Sequence, residues 1–412
     1  MARDVLVNTL DGGDHVVVVG AGLAGWRLVE SLRREGFDGA LTLIGDEPDA
    51  PYDRPPLSKQ VLAGTWPLDQ TRLATDERLA AAEVTLRVGV GARALDVATT
   101  TVHLDDGSSV AGTHVAIATG ARARRLTLHA DEYVHVLRTR HDAERLLRDV
   151  SSLSARRRVA VIGGGFVGAE VATSLLARGL EPVVFEMADA PLVGPLGPTV
   201  AGWLRRLPSE AGVELRVNQR VSDVTSSDGE LIVHVEGEDS FSAATVVVGA
   251  GSVPNDAWLA TSGLTLDNGV VVNEHLMATE RVAALGDVAR FTWRGPLGEQ
   301  LVRIEHWQVA ADHAASLARY WVRGESLPPL VPYFWSDQYG RKIQLLGHPH
   351  PGDDVTRVLE RDDGRWLALY SHGGVVTGVV GLNMPRQLTL SRRLLESGTS
   401  LDVATRDAPW LS

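Results

Sequence analysis

The chain has 412 residues, of which 44% are hydrophobic and 22% charged, so its length and composition predict a globular protein of two or three domains. Its formal net charge of −12 argues against nucleic acid as the main partner. The sequence contains no cysteine, which excludes disulfide bonds, thiolate metal ligands and thiol redox catalysis.

The first 14 residues carry three aspartates and no long apolar segment, so they predict a polar tail rather than a signal peptide. Since no apolar run reaches the ~18 residues of a membrane span, we expect a cytoplasmic protein. No motif predicts a metal site, and the sequence leaves the oligomeric state open.

The first predicted unit is a strand, a turn, a helix and a second strand, and its turn is VVVVGAGLAG at 16–25. In this G-x-G-x-x-G pattern the first glycine allows a tight turn, the second lets the backbone approach a pyrophosphate, and the third lets the helix pack closely on the strand. The pyrophosphate then lies at the helix N-terminus, whose N–H groups favour an anion. The three glycines are Gly20, Gly22 and Gly25, and the acidic residue expected to hold the ribose is Asp46 or Glu47.

A proline-rich segment follows at 48–60, and its proline content predicts a loop. This segment contains Lys59, one of only two lysines in the chain; the other is Lys342. Further strands are predicted at 84–90 and at 114–121, and the second of them ends in the glycine turn IATGA.

A second strand–turn–helix unit is predicted at 158–186, and the glycines of its turn VAVIGGGFVG are Gly163, Gly165 and Gly168. The second strand of this unit ends at Glu186, and no arginine follows at 187–190 to bind a 2′-phosphate. Because a carboxylate at that position would repel the phosphate, the sequence favours NADH over NADPH. One such turn is weak evidence, whereas two predict an enzyme that transfers electrons between two dinucleotides.

The later part of the chain predicts strands over 213–249 and 267–291 and a helix over 303–324. Within ALGDVARF, Asp287 follows Gly286 at a turn, where its carboxylate could accept hydrogen bonds from a polyol such as ribitol. The alternative is a helix-capping aspartate. After a linker at 327–332, short strands and a final helix predict a separate β-rich domain.

The motifs PYDRPPLSK, IATGARAR, GGGFVGAE, GAGSVPN, ALGDVAR, RIEHWQ and YFWSDQ occur in an order that resembles the FAD- and NADH-dependent ferredoxin reductases of oxygenase systems. The resemblance runs from Val16 to the C-terminal region. It implies an α/β fold with two Rossmann-like dinucleotide-binding domains, as in glutathione reductase, plus a C-terminal α+β domain. The implied FAD-binding domain is split over 1–123 and 248–328. The implied NADH-binding domain covers 124–247, and the implied C-terminal interface domain covers 329–412.

The resemblance also implies a set of site residues. Those for FAD are Gly20, Gly22, Ala24, Gly25, Asp46, Arg54, Lys59, Val90, Thr119, Gly120, Arg138, Gly286, Asp287 and Trp307. Those for NADH are Gly163, Gly165, Phe166, Val167, Gly168, Glu186, Gly251 and Glu305. The implied catalytic residues are Lys59, which lies beside flavin N5 and pairs with Glu170, and Trp335, which lies beside the isoalloxazine.

The implied reaction is hydride transfer from NADH to FAD N5, followed by single-electron transfer to an iron–sulfur ferredoxin of the [2Fe–2S] type. That ferredoxin would feed a P450 monooxygenase or a Rieske dioxygenase. A disulfide reductase needs a redox cysteine, which this sequence lacks. The alternatives are a rubredoxin reductase, a monodehydroascorbate reductase, or a slow NADH-binding flavoprotein resembling apoptosis-inducing factor. Arginines at 121–125 and 391–395 would steer an acidic ferredoxin, although ordinary solvated arginines are the simpler interpretation.

Overall fold

A computed structural model describes residues 9–130, 133–328 and 330–411, so part of the predicted tail and of the predicted linker lies outside the described residues. The chain divides into two compact units. The first contains the residues up to Asp53, Arg72–Arg122 and Val253–Phe334. The second contains Arg54–Thr71, Ala123–Ser252 and the residues from Trp335 onward.

The elements up to residue 123 are β1 (His15–Val19), α1 (Leu23–Glu35), β2 (Ala40–Ile44), α2 (Asp76–Ala82), β3 (Val84–Arg87), β4 (Ala92–Asp96), β5 (Thr101–Leu104), β6 (Ser109–Ala111), β7 (His114–Ile117) and β8 (Ala121–Ala123). The next are β9 (Val134–Val136), α3 (Arg140–Ser152), β10 (Arg158–Ile162), α4 (Phe166–Ala177), β11 (Glu181–Phe185), α5 (Val193–Leu204), α6 (Leu207–Glu210), β12 (Glu214–Arg216), β13 (Val221–Ser227), β14 (Glu230–Val235), β15 (Phe241–Ala243), β16 (Thr245–Val248) and β17 (Ser252–Pro254). The last are β18 (Val270–Val272), β19 (Val282–Ala284), β20 (Ala289–Gly295), β21 (Gly298–Val302), α7 (Trp307–Arg323), β22 (Tyr333–Gln338), β23 (Arg341–Gly347), β24 (Asp354–Glu360), β25 (Trp366–His372), β26 (Val375–Leu382), α8 (Pro385–Leu390), α9 (Arg392–Glu396) and α10 (Leu401–Asp407).

The core of the first unit is a five-stranded parallel sheet in the order β19-β7-β1-β2-β3. The central strand β1 is almost entirely valine, and its last four residues are buried. A strand that is apolar on both faces is typical of a parallel sheet covered on both sides. Helices α1 and α7 pack against each other beside this sheet.

The second unit contains a sheet of the same kind, with the parallel order β12-β11-β10-β16-β9. The unit also contains an antiparallel five-stranded sheet in the order β22-β23-β26-β25-β24, followed by α8, α9 and α10. The predicted α/β fold with two Rossmann-like sheets and a C-terminal α+β part is therefore confirmed. Among the described residues, every helix is too short or too polar to span a bilayer.

Two elements differ from the sequence-based prediction. The helix predicted over 303–324 begins only at Trp307, because residues 303–306 stay extended and the guanidinium of Arg303 donates to the carbonyl of Asp287 at 3.0 Å. The proline-rich segment predicted as a loop contains a wide helical turn over Leu57–Val61. The prolines precede this turn, where they interrupt no helical hydrogen bond.

His313 on α7 is fully buried in the first unit. Its Nδ1 accepts a hydrogen bond from the N–H of Gly286 at 3.2 Å, and its ring packs edge-on against Phe291. Burial lowers the pKa of His313 to about 3, so the folded protein holds this imidazole neutral.

The neutral His313 makes folding sensitive to acid. Because its pKa falls from 6.5 in the unfolded chain to about 3 in the folded one, its contribution is complete above pH 6.5 and is lost as the pH falls. We expect His313→Asn, which keeps an acceptor for Gly286, to remove about 1.4 kcal/mol per pH unit from the slope of unfolding free energy between pH 6 and pH 4. Urea unfolding at several pH values measures this slope, with the half-buried His103→Asn as control. An unchanged slope in His313→Asn would contradict the prediction.

Candidate functional site

The first glycine turn combines tight packing with one open position. A Cβ on Gly20, whose φ is +116°, would overlap the carbonyl of Ala118, and one on Gly25 would overlap the carbonyl of Gly20. A Cβ on Gly22 would meet nothing within 4 Å. Helix α1 begins there with no capping side chain and no acidic residue in its first turn. The free N–H groups and the open space above Gly22 fit a dinucleotide pyrophosphate.

The turn at Gly286 lies against the helix that follows this first motif. A Cβ on Gly286, whose φ is +71°, would lie 2.9 Å from the Cβ of Ala24. A short helical turn spans Gly286–Val288, and the residue at its N-cap is Leu285. The helix-capping alternative therefore does not describe Asp287, which occupies the middle of the turn.

The two acidic candidates after β2 have different surroundings. The carboxylate of Glu47 accepts a hydrogen bond from the hydroxyl of Tyr52 at 2.6 Å, whereas Asp46 is exposed and accepts only from the neighbouring backbone N–H. Close by in the chain, Asp53 accepts a hydrogen bond from Nε1 of Trp307 at 2.8 Å. The geometry leaves Asp46 as the carboxylate that is open to a ribose.

The remaining candidates of the first unit form its glycine-rich edge. Asn255 from the motif GAGSVPN joins the turn at Thr119, donating from Nδ2 to the Thr119 carbonyl at 3.0 Å and accepting the Thr119 hydroxyl at its own carbonyl. Gly120 adopts a left-handed conformation with φ of +65°. Val90 is buried, and its N–H donates to the carbonyl of Gly45 at 3.1 Å. These residues surround the carboxyl ends of the strands, where ligands bind in open α/β sheets.

The second glycine turn repeats the first. A Cβ on Gly163, with φ of +104°, would lie 2.5 Å from the carbonyl oxygen of Gly249, and one on Gly168 would overlap the carbonyl of Gly163. Gly165 is the open position, with its nearest atom 3.9 Å away, and α4 begins after it without a capping side chain. This turn therefore also fits a pyrophosphate.

The carboxylate of Glu186 closes the other side of this turn. It accepts hydrogen bonds from the N–H of Gly164 at 2.7 Å and from the N–H of Ala188 at 2.9 Å. Two apolar side chains close to this turn in the sequence are exposed. Val167, in the glycine motif, is 43% exposed, and Met187, which follows Glu186, is 69% exposed. Exposed apolar side chains beside a fixed carboxylate are suited to an adenosine.

The other NADH candidates are distributed between the units. Phe166 is the first residue of α4, and Gly251, with φ of +90°, accepts at its carbonyl from the N–H of Arg124 in the second unit. Glu305 belongs to the first unit and forms an ion pair with Arg303 at 2.5 Å.

Lys59 lies in the wide helical turn of the second unit. The N–H of Val61 donates to the carbonyl of Pro56, and that of Leu62 donates to Leu57, which are hydrogen bonds between residues five apart. Such turns are rare and frequently occur at functional sites. The wider turn brings the neighbouring side chains of Ser58 and Lys59 to the same acceptor.

That acceptor is Glu170 on α4, whose side chain is 7% exposed. Nζ of Lys59 lies 2.8 Å from its Oε1, the hydroxyl of Ser58 donates to Oε2 at 2.6 Å, and the hydroxyl of Ser336 donates to Oε1 at 2.6 Å. These three donors offset the cost of burying a carboxylate. We call Ser58, Lys59, Glu170 and Ser336 the Glu170 cluster.

Trp335 does not share the face of β22 that reaches this cluster. Successive side chains on a strand point to opposite faces, and Ser336 and Gln338 are buried together, with Nε2 of Gln338 3.2 Å from the Ser336 hydroxyl. Trp335 is half-buried on the other face.

Two further FAD candidates contact each other in the second unit. A guanidinium nitrogen of Arg54 donates a hydrogen bond to the backbone carbonyl of Arg138 at 2.6 Å.

Sequence reasoning missed several polar residues that the structure assembles. Ser58 and Ser336 lie inside motifs already singled out, but nothing in either motif showed that both reach Glu170. The others that were missed are Asp53, Asn255, Arg303 and His313. Each acts through a contact with a distant part of the chain, and a single sequence does not record such contacts.

Comparisons with known proteins agree with this architecture. The family described as pyridine nucleotide-disulphide oxidoreductase matches residues 14–314, and the one described as reductase C-terminal matches residues 333–409. The chain is 35% identical to rhodocoxin reductase of Rhodococcus erythropolis over 92% of this chain and 89% of that protein. It is 36% identical to the ferredoxin–NAD(+) reductase subunit of the benzene 1,2-dioxygenase system of Pseudomonas putida, over 93% of each.

A solved structure, the covalent putidaredoxin reductase–putidaredoxin complex, matches with a TM-score of 0.88 and 29% identity, over 96% of this chain and 98% of that chain. The family resemblance predicted from the sequence motifs is thereby confirmed. The chain belongs to the pyridine nucleotide-disulphide oxidoreductase family, in the group that contains the ferredoxin reductases of oxygenase systems.

Proposed function

We propose that this protein is an FAD-dependent NADH:ferredoxin oxidoreductase that supplies electrons to an oxygenase. The observation that carries the proposal is the Glu170 cluster, which holds a lysine ammonium in a chain that also has two glycine turns suited to pyrophosphates. Relatives named as reductase components of dioxygenase systems support the same activity. Since the sequence has no cysteine that could accept electrons, the reduced flavin passes its electrons to another protein in this proposal.

In this proposal the flavin dinucleotide binds at the glycine turn of the first unit. The N-terminus of α1 at Gly22 receives its pyrophosphate, Asp46 its ribose, and Asp287, which follows Gly286, its ribityl chain. Arg54, Val90, Thr119, Gly120, Arg138 and Trp307 complete the set of proposed FAD contacts. Bound FAD supplies the chemistry of accepting a hydride and releasing electrons singly.

Lys59 is the residue that acts at the reactive ring. Its ammonium places a positive charge where negative charge develops, and such preorganised charge is worth most where water is excluded. Glu170 holds the ammonium charged and oriented, and the hydroxyls of Ser58 and Ser336 hold Glu170. Trp335 is proposed as an aromatic contact of the ring.

The second unit binds the nicotinamide substrate at Gly163, Gly165 and Gly168, with Glu186 on the adenosine ribose. Because Glu186 places a fixed negative charge at the end of β11, NADH is preferred to NADPH. Phe166, Val167, Gly251 and Glu305 are further proposed contacts. The proposed domains are 1–123 with 248–328, 124–247 and 329–412, and the proposed acceptor is a [2Fe–2S] ferredoxin.

Steady-state oxidation of NADH with a panel of acceptors tests this function. The panel contains a [2Fe–2S] ferredoxin, a rubredoxin, monodehydroascorbate and ferricyanide. We expect rapid turnover with the ferredoxin and with ferricyanide. Turnover with ferricyanide alone would contradict the assignment, and a preference for rubredoxin or monodehydroascorbate would replace the proposed acceptor.

Removal of the lysine charge is the first prediction from the Glu170 cluster. We expect Lys59→Met to slow flavin reduction by NADH by about 10- to 100-fold, because the ring loses a preorganised cation. Stopped-flow absorbance of FAD measures the rate. Lys342→Met removes the other lysine, which is exposed and paired with Asp337, and serves as the matched control. An unchanged rate in FAD-loaded Lys59→Met would contradict the role.

Loss of one hydroxyl from the cluster is expected to change the flavin potential. Ser336→Ala leaves the charge of Glu170 less compensated, so Glu170 opposes the field of Lys59 more strongly. We expect the two-electron potential to fall by about 20 mV, which corresponds to a hydrogen bond of about 1 kcal/mol. Ser391→Ala, a buried serine that bonds only within its own helical segment, should leave the potential unchanged. Equal potentials in the two variants would contradict the coupling.

The third prediction concerns the choice of nucleotide. We expect Glu186→Gln to lower the ratio of kcat/KM for NADH over NADPH by about tenfold or more, because a like-charge repulsion is removed. Glu181→Gln neutralises a carboxylate at the opposite end of β11 and is the control. The ratio is measured with ferricyanide as acceptor, and an unchanged ratio in Glu186→Gln would exclude this residue as the discriminating charge.

A further inference from the structure

We propose that His350, Asp353 and His372 bind a divalent transition-metal ion of the zinc class at the edge of the C-terminal sheet. One nitrogen of each imidazole and one carboxylate oxygen of Asp353 all lie within 4.8 Å of one another. His350 and Asp353 belong to the loop between β23 and β24, and His372 is the last residue of β25. We call these three residues the His350 cluster.

Strand register creates this juxtaposition. In the antiparallel pair of β24 and β25, Asp354 lies opposite Ser371. The residues just beyond that pair, Asp353 and His372, therefore face each other across the end of the ladder. Thr377 on β26 reaches the same carboxylate, donating its hydroxyl to Oδ2 of Asp353 at 2.5 Å.

The charge of Asp353 points to a cation. Its side chain is 1% exposed. Its hydrogen-bond donors are the backbone N–H of His350, the hydroxyl of Thr377 and Nδ1 of His372. Within the described part of the chain, no lysine or arginine lies within 4.0 Å of this carboxylate, and His372 is its one ion-pair partner. A buried carboxylate without a permanent positive charge beside it is costly, and a bound divalent ion removes that cost.

The spacing of the cluster suits such an ion. Nδ1 of His372 lies 3.1 Å from Oδ1 of Asp353, and an ion bound to both atoms would replace the proton of this hydrogen bond. Two ligands of a tetrahedral zinc site, each with a bond of about 2.0–2.1 Å, are separated by about 3.3 Å. Nδ1 of His350 lies 2.8 Å from the carbonyl of Pro351. Since a carbonyl only accepts, the neutral ring carries its proton on Nδ1 and offers the lone pair of Nε2, as metal-ligating histidines usually do.

The donor set selects the class of metal. Two imidazoles and one carboxylate suit Zn²⁺, Ni²⁺ or Cu²⁺, whereas Mg²⁺ and Ca²⁺ prefer sites made wholly of oxygen. Both imidazoles are exposed, so water can reach the ion and complete its coordination. The bound ion would fasten the loop of His350 to β25. This inference does not depend on the proposed flavin chemistry.

The test uses the full-length, FAD-loaded protein without an affinity tag, freed of metal by chelation. Calorimetric titration with ZnCl₂ and visible absorption with CoCl₂ measure binding. We expect one ion per chain with a dissociation constant below about 100 µM. His350→Asn and His372→Asn should each weaken binding by about tenfold or more. His103→Asn removes a half-buried histidine that pairs with Ser109, far from the cluster in sequence, and should bind the ion as the unchanged protein does.

His350→Asn keeps the backbone N–H that bonds Asp353, so its thermal midpoint in chelator should match that of the unchanged protein. ZnCl₂ should raise that midpoint by about 2 °C or more in the unchanged protein but not in His350→Asn. Absence of saturable binding would overturn the proposal, as would equal affinity in the histidine variants. Ferricyanide turnover should be the same in all of these variants, which separates this test from the test of the proposed function.

Discussion

The second unit is organised around one interaction, in which the buried carboxylate of Glu170 binds donors from two other segments of the chain. Helix α4 carries both the second glycine turn at its start and Glu170 one turn later. Because a side chain at position 168 would overlap the carbonyl of Gly163, the glycine there lets this helix pack closely on β10. The same helix therefore carries both the glycine turn proposed to bind a pyrophosphate and the carboxylate of Glu170. The lysine and the two serines then converge on that point.

The two units contain glycine turns of the same kind, but the surroundings of these turns differ. In the first, a turn at Gly286 packs against Ala24, two residues after the open glycine Gly22. In the second, the corresponding region is closed by Glu186, whose carboxylate bonds the backbone of the turn itself. The two proposed sites therefore differ chemically, with a fixed negative charge beside one turn and a packed glycine turn beside the other. Duplication of a fold is thus compatible with two distinct cofactors, because the side chains beyond the shared turn select the ligand.

Local steric rules made much of this molecule predictable from sequence. Only glycine fits at Gly20, Gly25, Gly163 and Gly168, and the valine-rich strands before the two turns indicate parallel sheets buried on both faces. Contacts between distant segments were not predictable in this way. Trp307 reaches Asp53 across 254 residues, and the start of α7 depends on such contacts more than on helix propensity. The wide turn at Lys59 also escaped prediction, because proline content indicates where a helix is interrupted and not what forms after the last proline.

The partnership of Ser336 with Glu170 has a consequence for synthesis of the chain. The two residues are 166 positions apart, and ribosomes add about 5–20 residues per second, so Ser336 is made on the order of 10 s after Glu170. During that interval a nascent Rossmann-like sheet carries a carboxylate with an incomplete set of donors. In the chain, the β22 strand that supplies the last donor is followed by the other strands of its antiparallel sheet and by α8, α9 and α10. A chain that ends before Ser336 therefore lacks the third donor to the Glu170 carboxylate.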